Sequence, residues 1–432
     1  MEKLQDVLTY VKNLLQEKNV NQALLSIEES NTRELTYENG ECSLLRTLFG
    51  QTVGINIIKN QKNGKSQIND FSKEALKTAV ETALSSAEAG DADVAYAFAK
   101  NEEDLSICEG VLDSDMEKLL ERVKELAHTI KKEYPKVQLI QLIASHSYTH
   151  RLVHNSNGGD ADIRQGHYGI SLEFAGNDND KTAGLAGHFV AFESLDKPLI
   201  ELDGVRTCLQ SAVDELHLAE LTDKFEGKVI FRPDCASQIL AFAINCFAST
   251  QPVLSKTGPW IEKLDKQVAS DNLTVKLAPM DERIFEKSLV TADGAWSKDY
   301  TIIDKGVLKQ FDIGLYVSNK TGFKPAPNDG SGMIVEAGDT ALNDMIKNVK
   351  RGLLVGSISA GRPSGNGELS GVAKNSFYIE DGEIVGAVNE TMISMNLAEL
   401  VHNIDAISRE VWNTGSYCMP YLCFDGVNIS GK

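Results

Sequence analysis

The sequence predicts an α+β protein built from an N-terminal α+β domain with long helices and hairpins, followed by a mostly antiparallel, β-rich C-terminal domain. The chain of 432 residues is longer than one average domain. Amphipathic helix patterns alternate with strand patterns in the first half, and Asn-Gly turns separate several of them. Beyond Gly227, short apolar runs alternate with turns, which is typical of antiparallel sheets. We therefore place the domains at 1–223 and 227–432, with an alternative sub-boundary near 90–115.

Elements of the first half follow from periodicity and capping residues. Leu4, Val7, Leu8 and Val11 share one face of a helix at the N-terminus. Ser72 is a suitable N-cap for one later helix, and either Ser114 or Asp115 for the next. The pattern predicts strands at 23–28, 33–37, 52–59, 137–144, 169–174 and 186–192, and helices at 72–89, 116–132 and 198–221.

The second half begins with a strand that leads into an apolar helix. Val229–Phe231 is a short β run, Pro233 breaks it, and Asp234 is the expected N-cap. Residues 236–247 carry no charge at any angle, which predicts a helix buried on all sides. Further strands are predicted at 275–277, 300–303, 306–311, 352–359, 376–380 and 383–386, and helices at 340–350 and 397–402.

Composition and charge limit the partners and the compartment. The net charge of −19 argues against nucleic acid or anionic lipid as the main partner. The N-terminal helix lacks the apolar core of a secretory signal, and 235–255 contains too many polar residues for a membrane span. Seven scattered cysteines without a CxxC motif are typical of reduced thiols. We expect a cytoplasmic protein.

His146, His150 and His154 allow two interpretations. On a helix, their spacing would place them on one face, as metal ligands often are. The segment instead continues a β run. On a strand, successive histidines, which are four residues apart, would share one face but lie roughly 13 Å apart. We favour a polar sheet face over a metal site.

Two further segments are suggestive of sites without matching a known one. The glycine-rich stretch 361–371 lacks the Lys of a phosphate-binding P-loop, so we expect a turn that could border a binding groove. The chain has 62 acidic residues, so a carboxylate-rich segment is expected by chance. Its members are Asp281, Glu282, Asp293, Asp299 and Asp304. Cys418 and Cys423 are expected to be small buried residues.

A set of motifs in a fixed order resembles the TldD/PmbA family (PmbA is also called TldE), once described as modulators of DNA gyrase. The resemblance extends from about residue 20 to 430 and includes HNSNG at 154–158 and GKVIFRPDCASQIL at 227–240. It continues through IIDKGVLKQFDIGLYVSNKTG, VKRGLLVG, GELSGVAKNSFYIEDGEIVGAVNETMISMNL and the C-terminal FDGVNISG. The resemblance identifies the chain as similar to metallopeptidase subunits.

In this family the TldD-type member carries HExxxH on the helix after the central strand, and its two histidines bind zinc with a later cysteine. Aligning this sequence from Val229 places Ala241, Phe242 and Cys246 at the positions of His, Glu and His. The resemblance is thus to the PmbA/TldE type, which implies no catalytic residue, no metal ligand and no cofactor in this chain. Cys418 lies near the position of the third ligand. Zinc is expected in a TldD-type partner.

The leading hypothesis is a non-catalytic subunit that closes the proteolytic chamber of a TldD-like partner and helps to hold extended peptide. An alternative is a self-assembling, homodimeric peptide-binding module without a peptidase role. A second alternative is an autonomous metallopeptidase with a non-standard site drawn from His146, His150, His154, Cys246 and Cys418. The sequence does not identify the peptide-binding residues.

Overall fold

The computed structural model describes residues 2–431, and within them the strands form an eight-stranded and an eleven-stranded sheet. The first half contains α1 (Glu2–Glu17), β1 (Gln22–Glu38), β2 (Glu41–Lys59), β3 (Lys62–Ile68), α2 (Lys73–Ala89), β4 (Leu105–Gly110), α3 (Met116–Glu133), β5 (Val137–Asn155), β6 (Asp160–Asp178), β7 (Lys181–Thr182), β8 (Ala186–Phe192) and α4 (Val205–Asp214).

The first sheet has the order β3-β2-β1-β5-β6-β4, with β7 and β8 also paired to β6. Its pairs are antiparallel except for β4 with β6, which run parallel. The helices α1 and α2 cover one end of one face and form a hydrophobic cluster with β1 and β2. The helices α3 and α4 pack further along β5 and β6.

The second half contains β9 (Lys224–Phe231), α5 (Pro233–Phe247), α6 (Thr250–Ser255), β10 (Val275–Leu277), β11 (Tyr300–Asp304), β12 (Val307–Leu308), α7 (Leu315–Thr321), β13 (Met333–Val335), α8 (Leu342–Lys347), β14 (Arg351–Ala360), β15 (Glu368–Glu380), β16 (Glu383–Ala387), β17 (Met392–Asn396), α9 (Leu397–His402), β18 (Ile404–Asn413) and β19 (Tyr417–Ser430).

The strands of the second sheet follow the order β12-β11-β10-β13-β19-β17-β15-β14-β9, and most pairs are antiparallel. Because β9 also pairs with β19, the strands β19, β17, β15, β14 and β9 close into a ring. The helix α5 packs against β19 and β14 of this ring. The α+β class with a mostly antiparallel second half is confirmed.

Several element bounds differ from the sequence prediction. Residues 23–28 and 33–37 do not pair with each other but belong to the single strand β1, which turns at Asn39-Gly40 into β2. Both turn residues have positive φ, which suits Asn and Gly. The predicted helix 198–221 is interrupted at Gly204 (φ 83°), which separates a short 3-10 helix (Leu199–Glu201) from α4. The patterns did not predict β4, β18 and β19.

The two halves share a hydrophobic cluster. Leu209 of α4 and Phe174 of β6 are fully buried in it, together with Ile230 of β9 and Cys423 of β19. The second sheet begins with β9 at Lys224, inside the predicted boundary at 223–227, and the division into two domains stays a prediction, since the shared cluster packs both halves together. None of the helices within residues 2–431 is long and apolar enough to cross a membrane.

Candidate functional site

The turn between β9 and α5 sets the direction of the helix on which this family carries its metal ligands. Arg232, with extended backbone, is the residue before the helix, and Pro233 occupies the first turn. The predicted N-cap, Asp234, is wrong by two positions: it lies inside the first turn and accepts a hydrogen bond from the Cys235 backbone N–H. Proline suits the first turn because its missing N–H has no partner there.

One face of α5 is open, which corrects the expectation of a helix buried all round. Gln238 and Asn245 are exposed, while Ala241, Phe242 and Cys246 are only partly buried. The opposite face packs into the largest hydrophobic cluster of the second half. The buried residues of α5 are Pro233, Cys235, Ala236, Ile239, Leu240, Ala243, Ile244 and Phe247. Uncharged small and apolar residues thus form both faces, so the sequence pattern did not distinguish them.

The three positions that correspond to HExxxH therefore lie on the accessible side, but their side chains do not fit zinc. Ala241 and Phe242 offer no donor atom, and a peptidase of this type needs three protein ligands and a carboxylate base. The Cys246 Sγ lies 3.9 Å from the Ser364 carbonyl oxygen, and burial raises the pKa of this thiol. A raised pKa disfavours the thiolate that a metal would require.

Cys418 lies in a different part of the fold from Cys246. It is fully buried at the start of β19, where it packs with Ala278, Ile284 and Ile334. Burial raises its thiol pKa to about 11. The structure thus does not join the two cysteines into one site. Cys423 is also buried, as expected.

The three histidines of β5 have separate polar partners. The Nε2 of His146 lies 2.6 Å from the Val111 carbonyl oxygen, and the Nε2 of His150 lies 2.9 Å from a carboxylate oxygen of Asp162. The Nδ1 of His154 contacts Asp160 at 2.5 Å. The strand continues through all three residues, as the sequence predicted, so they do not converge on one point.

The glycine-rich stretch 361–371 includes the turn between β14 and β15, as expected, and it borders α5. A Cβ on Gly367 would lie 2.5 Å from the Phe247 ring, so only glycine allows this close approach. The carbonyl oxygen of Ser364 is the one that faces Cys246. The turn therefore covers part of the α5 surface next to the family's ligand positions.

The carboxylates between 281 and 304 are dispersed. Asp281 forms an ion pair with Arg283, and Asp299 accepts the Met280 backbone N–H. Asp293 accepts the Leu315 N–H at 2.5 Å, and burial raises its pKa. Each of these three carboxylates thus has its own structural partner. Glu282 and Asp304 are exposed.

Sequence reasoning missed a cluster at the junction of the two halves. Within residues 2–431, the one group of side chains with metal-ligand character and mutual distances within 4.8 Å is formed by His188, Cys208 and Asp234. Arg232 already holds Asp234 in a two-pronged ion pair, with Nη2 to Oδ2 at 2.7 Å. Burial raises the pKa of Cys208 to about 12. These residues are far apart in sequence, and no spacing motif could have revealed them.

The neighbouring guanidinium makes this cluster a poor fit for a metal dication. Arg232 neutralises Asp234, and adding a dication beside it would place like charges together in a buried space. The Nε2 of His188 lies 2.7 Å from the Asp203 carbonyl oxygen, and burial lowers the pKa of this imidazole. The cluster is best described as a buried polar contact between the halves.

Fold and site together define a two-sheet α+β protein whose central strand–helix unit, β9 and α5, contains no histidine or glutamate between Pro233 and Phe247. Residues 224–431 match the PmbA/TldA metallopeptidase C-terminal domain. The chain is 23% identical over 405 residues to a metalloprotease PmbA homolog of Haemophilus influenzae, covering 88% of this chain and 86% of that protein. The resemblance is confirmed: the C-terminal half matches the family's metallopeptidase domain, and a relative that carries the PmbA name aligns along most of the chain.

Solved structures share the fold along nearly the whole chain. TldE from Thermococcus kodakarensis superposes with a TM-score of 0.83 at 21% identity, covering 98% of this chain and 100% of that one. A protein of Thermotoga maritima, described as a candidate modulator of a DNA gyrase, gives 0.80 at 17% identity, with coverage of 99% and 100%. A zinc metalloprotease TldD homolog of Saccharolobus solfataricus is 24% identical over 208 residues, covering 45% of this chain and 46% of that protein.

Proposed function

We propose that this chain is the non-catalytic, TldE-like subunit of a TldD/PmbA-type metallopeptidase complex. In this role it closes the chamber of a TldD-type partner and helps to hold extended peptide, while the partner supplies zinc and its ligands. The carrying observation is that Ala241, Phe242 and Cys246 stand on the accessible face of α5 at the positions of HExxxH. These positions are thus accessible but lack the side chains that would bind zinc and act as general base.

Co-expression with a TldD-like chain from the same genome tests this proposal. We expect a stable heteromer that cleaves unfolded casein and contains zinc only in the partner. The double variant Cys246→Ser, Cys418→Ser should retain zinc content and activity, whereas loss of the partner's HExxxH glutamate should abolish cleavage. The proposal fails if no heteromer forms and the TldD-like chain alone cleaves fully. It also fails if the cysteine variant loses stoichiometric zinc.

A second candidate, a self-assembling peptide-binding module, is supported by the outer part of β2. Strand β3 begins to pair with β2 only at Val53, so residues 41–52 leave one edge of the sheet open. Leu45 and Phe49 on this segment are 68% and 79% exposed. Open, apolar strand edges favour association. Native mass spectrometry of the isolated chain separates the candidates, because this one requires a homodimer.

A further inference from the structure

A cleft runs between the first sheet and a segment of the second half. Leu152 packs with the cluster around α1 and α2. Since neighbouring residues of a strand alternate between faces, Thr149 and Arg151 lie on the other face of β5. On that face, register places Glu28 of β1 opposite Arg151. The cleft floor is therefore a polar sheet surface.

Residues 285–292 form the opposite wall of this cleft. Leu289 and Val290 pack on Val153 and Ile163 of the sheet. The Lys287 Nζ binds Glu109 at 3.0 Å, which fixes the segment further. Two cavities remain, of about 400 Å³ and about 320 Å³, and Arg151 lines both of them. The guanidinium thus stands where the two cavities meet.

Arg151 is a partly buried cation without an ion-pair partner. Its Nε donates to the Ser26 hydroxyl at 2.8 Å, and this is the one hydrogen bond of its side chain within residues 2–431. Burial lowers its pKa, while the charge of Glu28 raises it. By contrast, Arg232 and Arg164 both form ion pairs with carboxylates. Leaving guanidinium donors unused in a confined site is costly, so a ligand acceptor would be favourable.

We propose that Arg151 binds a carboxylate of an extended peptide in this cleft. The inference rests on the proposed function, and it names the residue that holds the peptide. The planar guanidinium matches a carboxylate with two parallel hydrogen bonds. The hydroxyls of Ser147 and Thr149 line the smaller cavity, and the larger one is lined by Leu24, Val153 and Val290 together with Asn56 and Gln67. The larger cavity thus offers both apolar and polar contacts to a side chain next to the bound carboxylate.

A carboxylate fits better than a phosphate because the cleft also carries negative charge. Glu28 and Glu286 line the smaller cavity, and they would repel a dianion more strongly than a monoanion. Lys287, the nearest lysine of that wall, is already paired with Glu109. Of the arginine and lysine side chains that line the smaller cavity, Arg151 is the one without an ion pair within residues 2–431, while the exposed Lys65 lines the larger cavity.

Three fluorescein-labelled hexapeptides of alanine, serine and leucine test the proposal on the isolated, full-length chain. One has a free C-terminal carboxylate, its twin ends in an amide, and the third is an amide with one internal glutamate. We expect fluorescence anisotropy to show at least tenfold tighter binding of a carboxylate peptide than of the plain amide. Whether the first or the third peptide binds tightly assigns the carboxylate to the terminus or to a side chain. Equal affinities, or no binding of any peptide, overturn the proposal.

Variants then assign the effect to Arg151. In Arg151→Met the carboxylate peptide should bind only as tightly as the amide, and Arg151→Lys should retain part of the preference. Arg164→Met is the matched control, since Arg164 lies on the opposite face of the same sheet. An unchanged preference in Arg151→Met contradicts the assignment. If near-ultraviolet circular dichroism shows that Arg151→Met misfolds, the ratio of the affinities of the unaltered chain for the carboxylate and the amide peptide still tests the proposal.

The outcome is separable from that of the subunit proposal. Peptide affinity is measured without a partner chain, whereas the subunit proposal depends on heteromer formation and zinc location. Carboxylate preference without a heteromer would reject the subunit and keep the Arg151 site. A heteromer whose isolated subunit shows no preference would reject the site alone.

Discussion

At the start of α5, Arg232 and Asp234 form an ion pair that is largely enclosed by the protein. The side chain of Arg232 is 8% exposed and that of Asp234 is 25% exposed. The guanidinium carbon of Arg232 lies 5.6 Å from the centroid of the Trp412 ring, which adds a cation–π contact. Because the two residues are two positions apart, the pair fixes the angle at which β9 enters α5. Its role is structural, at the junction where the family's ligand helix begins.

Removing the guanidinium should destabilise the chain through the carboxylate left behind. Arg232→Met keeps the side-chain length but leaves Asp234 largely enclosed without its cation. We expect a loss of about 3–5 kcal/mol in the free energy of unfolding, measured by urea titration. Arg283→Met is a matched control, since Arg283 and Asp281 are also two positions apart and Asp281 is as enclosed as Asp234 (24% against 25% exposed). Arg283 itself is 46% exposed, so water can replace its guanidinium. This control should cost at most about 1 kcal/mol. Equal costs would contradict the buried-pair interpretation.

The element α5 combines a core face with an open face although its residues from 235 onward are uncharged. Phe247 is fully buried against Trp260, with ring centroids 5.0 Å apart. Phe242 is partly exposed and packs only at the margin of the same cluster. The sequence alone led to the expectation that both were core residues, so the two faces should be distinguishable by stability.

Truncating the two phenylalanines should give unequal effects. Phe247→Ala should cost about 3–5 kcal/mol, the usual range for a buried aromatic. Phe242→Ala should cost about 1 kcal/mol, because the side chain already contacts solvent. Both values follow from chemical denaturation monitored by circular dichroism. Similar losses for the two variants would show that the Phe242 face is closed, which would remove the accessible position from the subunit proposal.

For helices and strands, hydrophobic periodicity and turn residues predicted the type of each element better than its length. The helices at 72–89 and 116–132 were found almost unchanged, because Ser72 and Asp115 cap them with side-chain hydrogen bonds. The strand β1 joins the two predicted strands 23–28 and 33–37, and β6 (Asp160–Asp178) runs well beyond the predicted 169–174, since sheet pairing continues through polar residues that carry no alternation signal. Gly204 interrupts a predicted helix through its positive φ, which composition does not reveal.

The candidate sites were harder to predict because they depend on contacts between the halves. The resemblance located Ala241, Phe242 and Cys246 on the correct helix, but not their exposure. Arg151 lies within β5, yet the cavities that it lines also depend on the segment 285–292, more than 130 positions later. Spacing motifs describe local geometry and contain no information on such distant contacts.

The whole molecule is joined by one hydrophobic cluster that spans both halves. It unites Leu209 and Phe174 with Ile230, Ile379 and Trp412. The cluster around α1 and α2 is separate and lies entirely in the first half. If the shared cluster couples the halves, damage to the first half should be transmitted to the second.

All three tryptophans, Trp260, Trp296 and Trp412, lie in the second half and can report this coupling. Leu76 of α2 is fully buried in the separate first-half cluster. Leu76→Ala should cost about 2–5 kcal/mol and lower the thermal midpoint seen by tryptophan fluorescence as much as that seen by far-ultraviolet circular dichroism. Phe247→Ala is the control, because it should shift the fluorescence midpoint whether or not the halves are coupled. A Leu76→Ala variant whose circular dichroism becomes biphasic while its fluorescence midpoint stays fixed would show that the halves unfold independently, and that the shared cluster does not couple them.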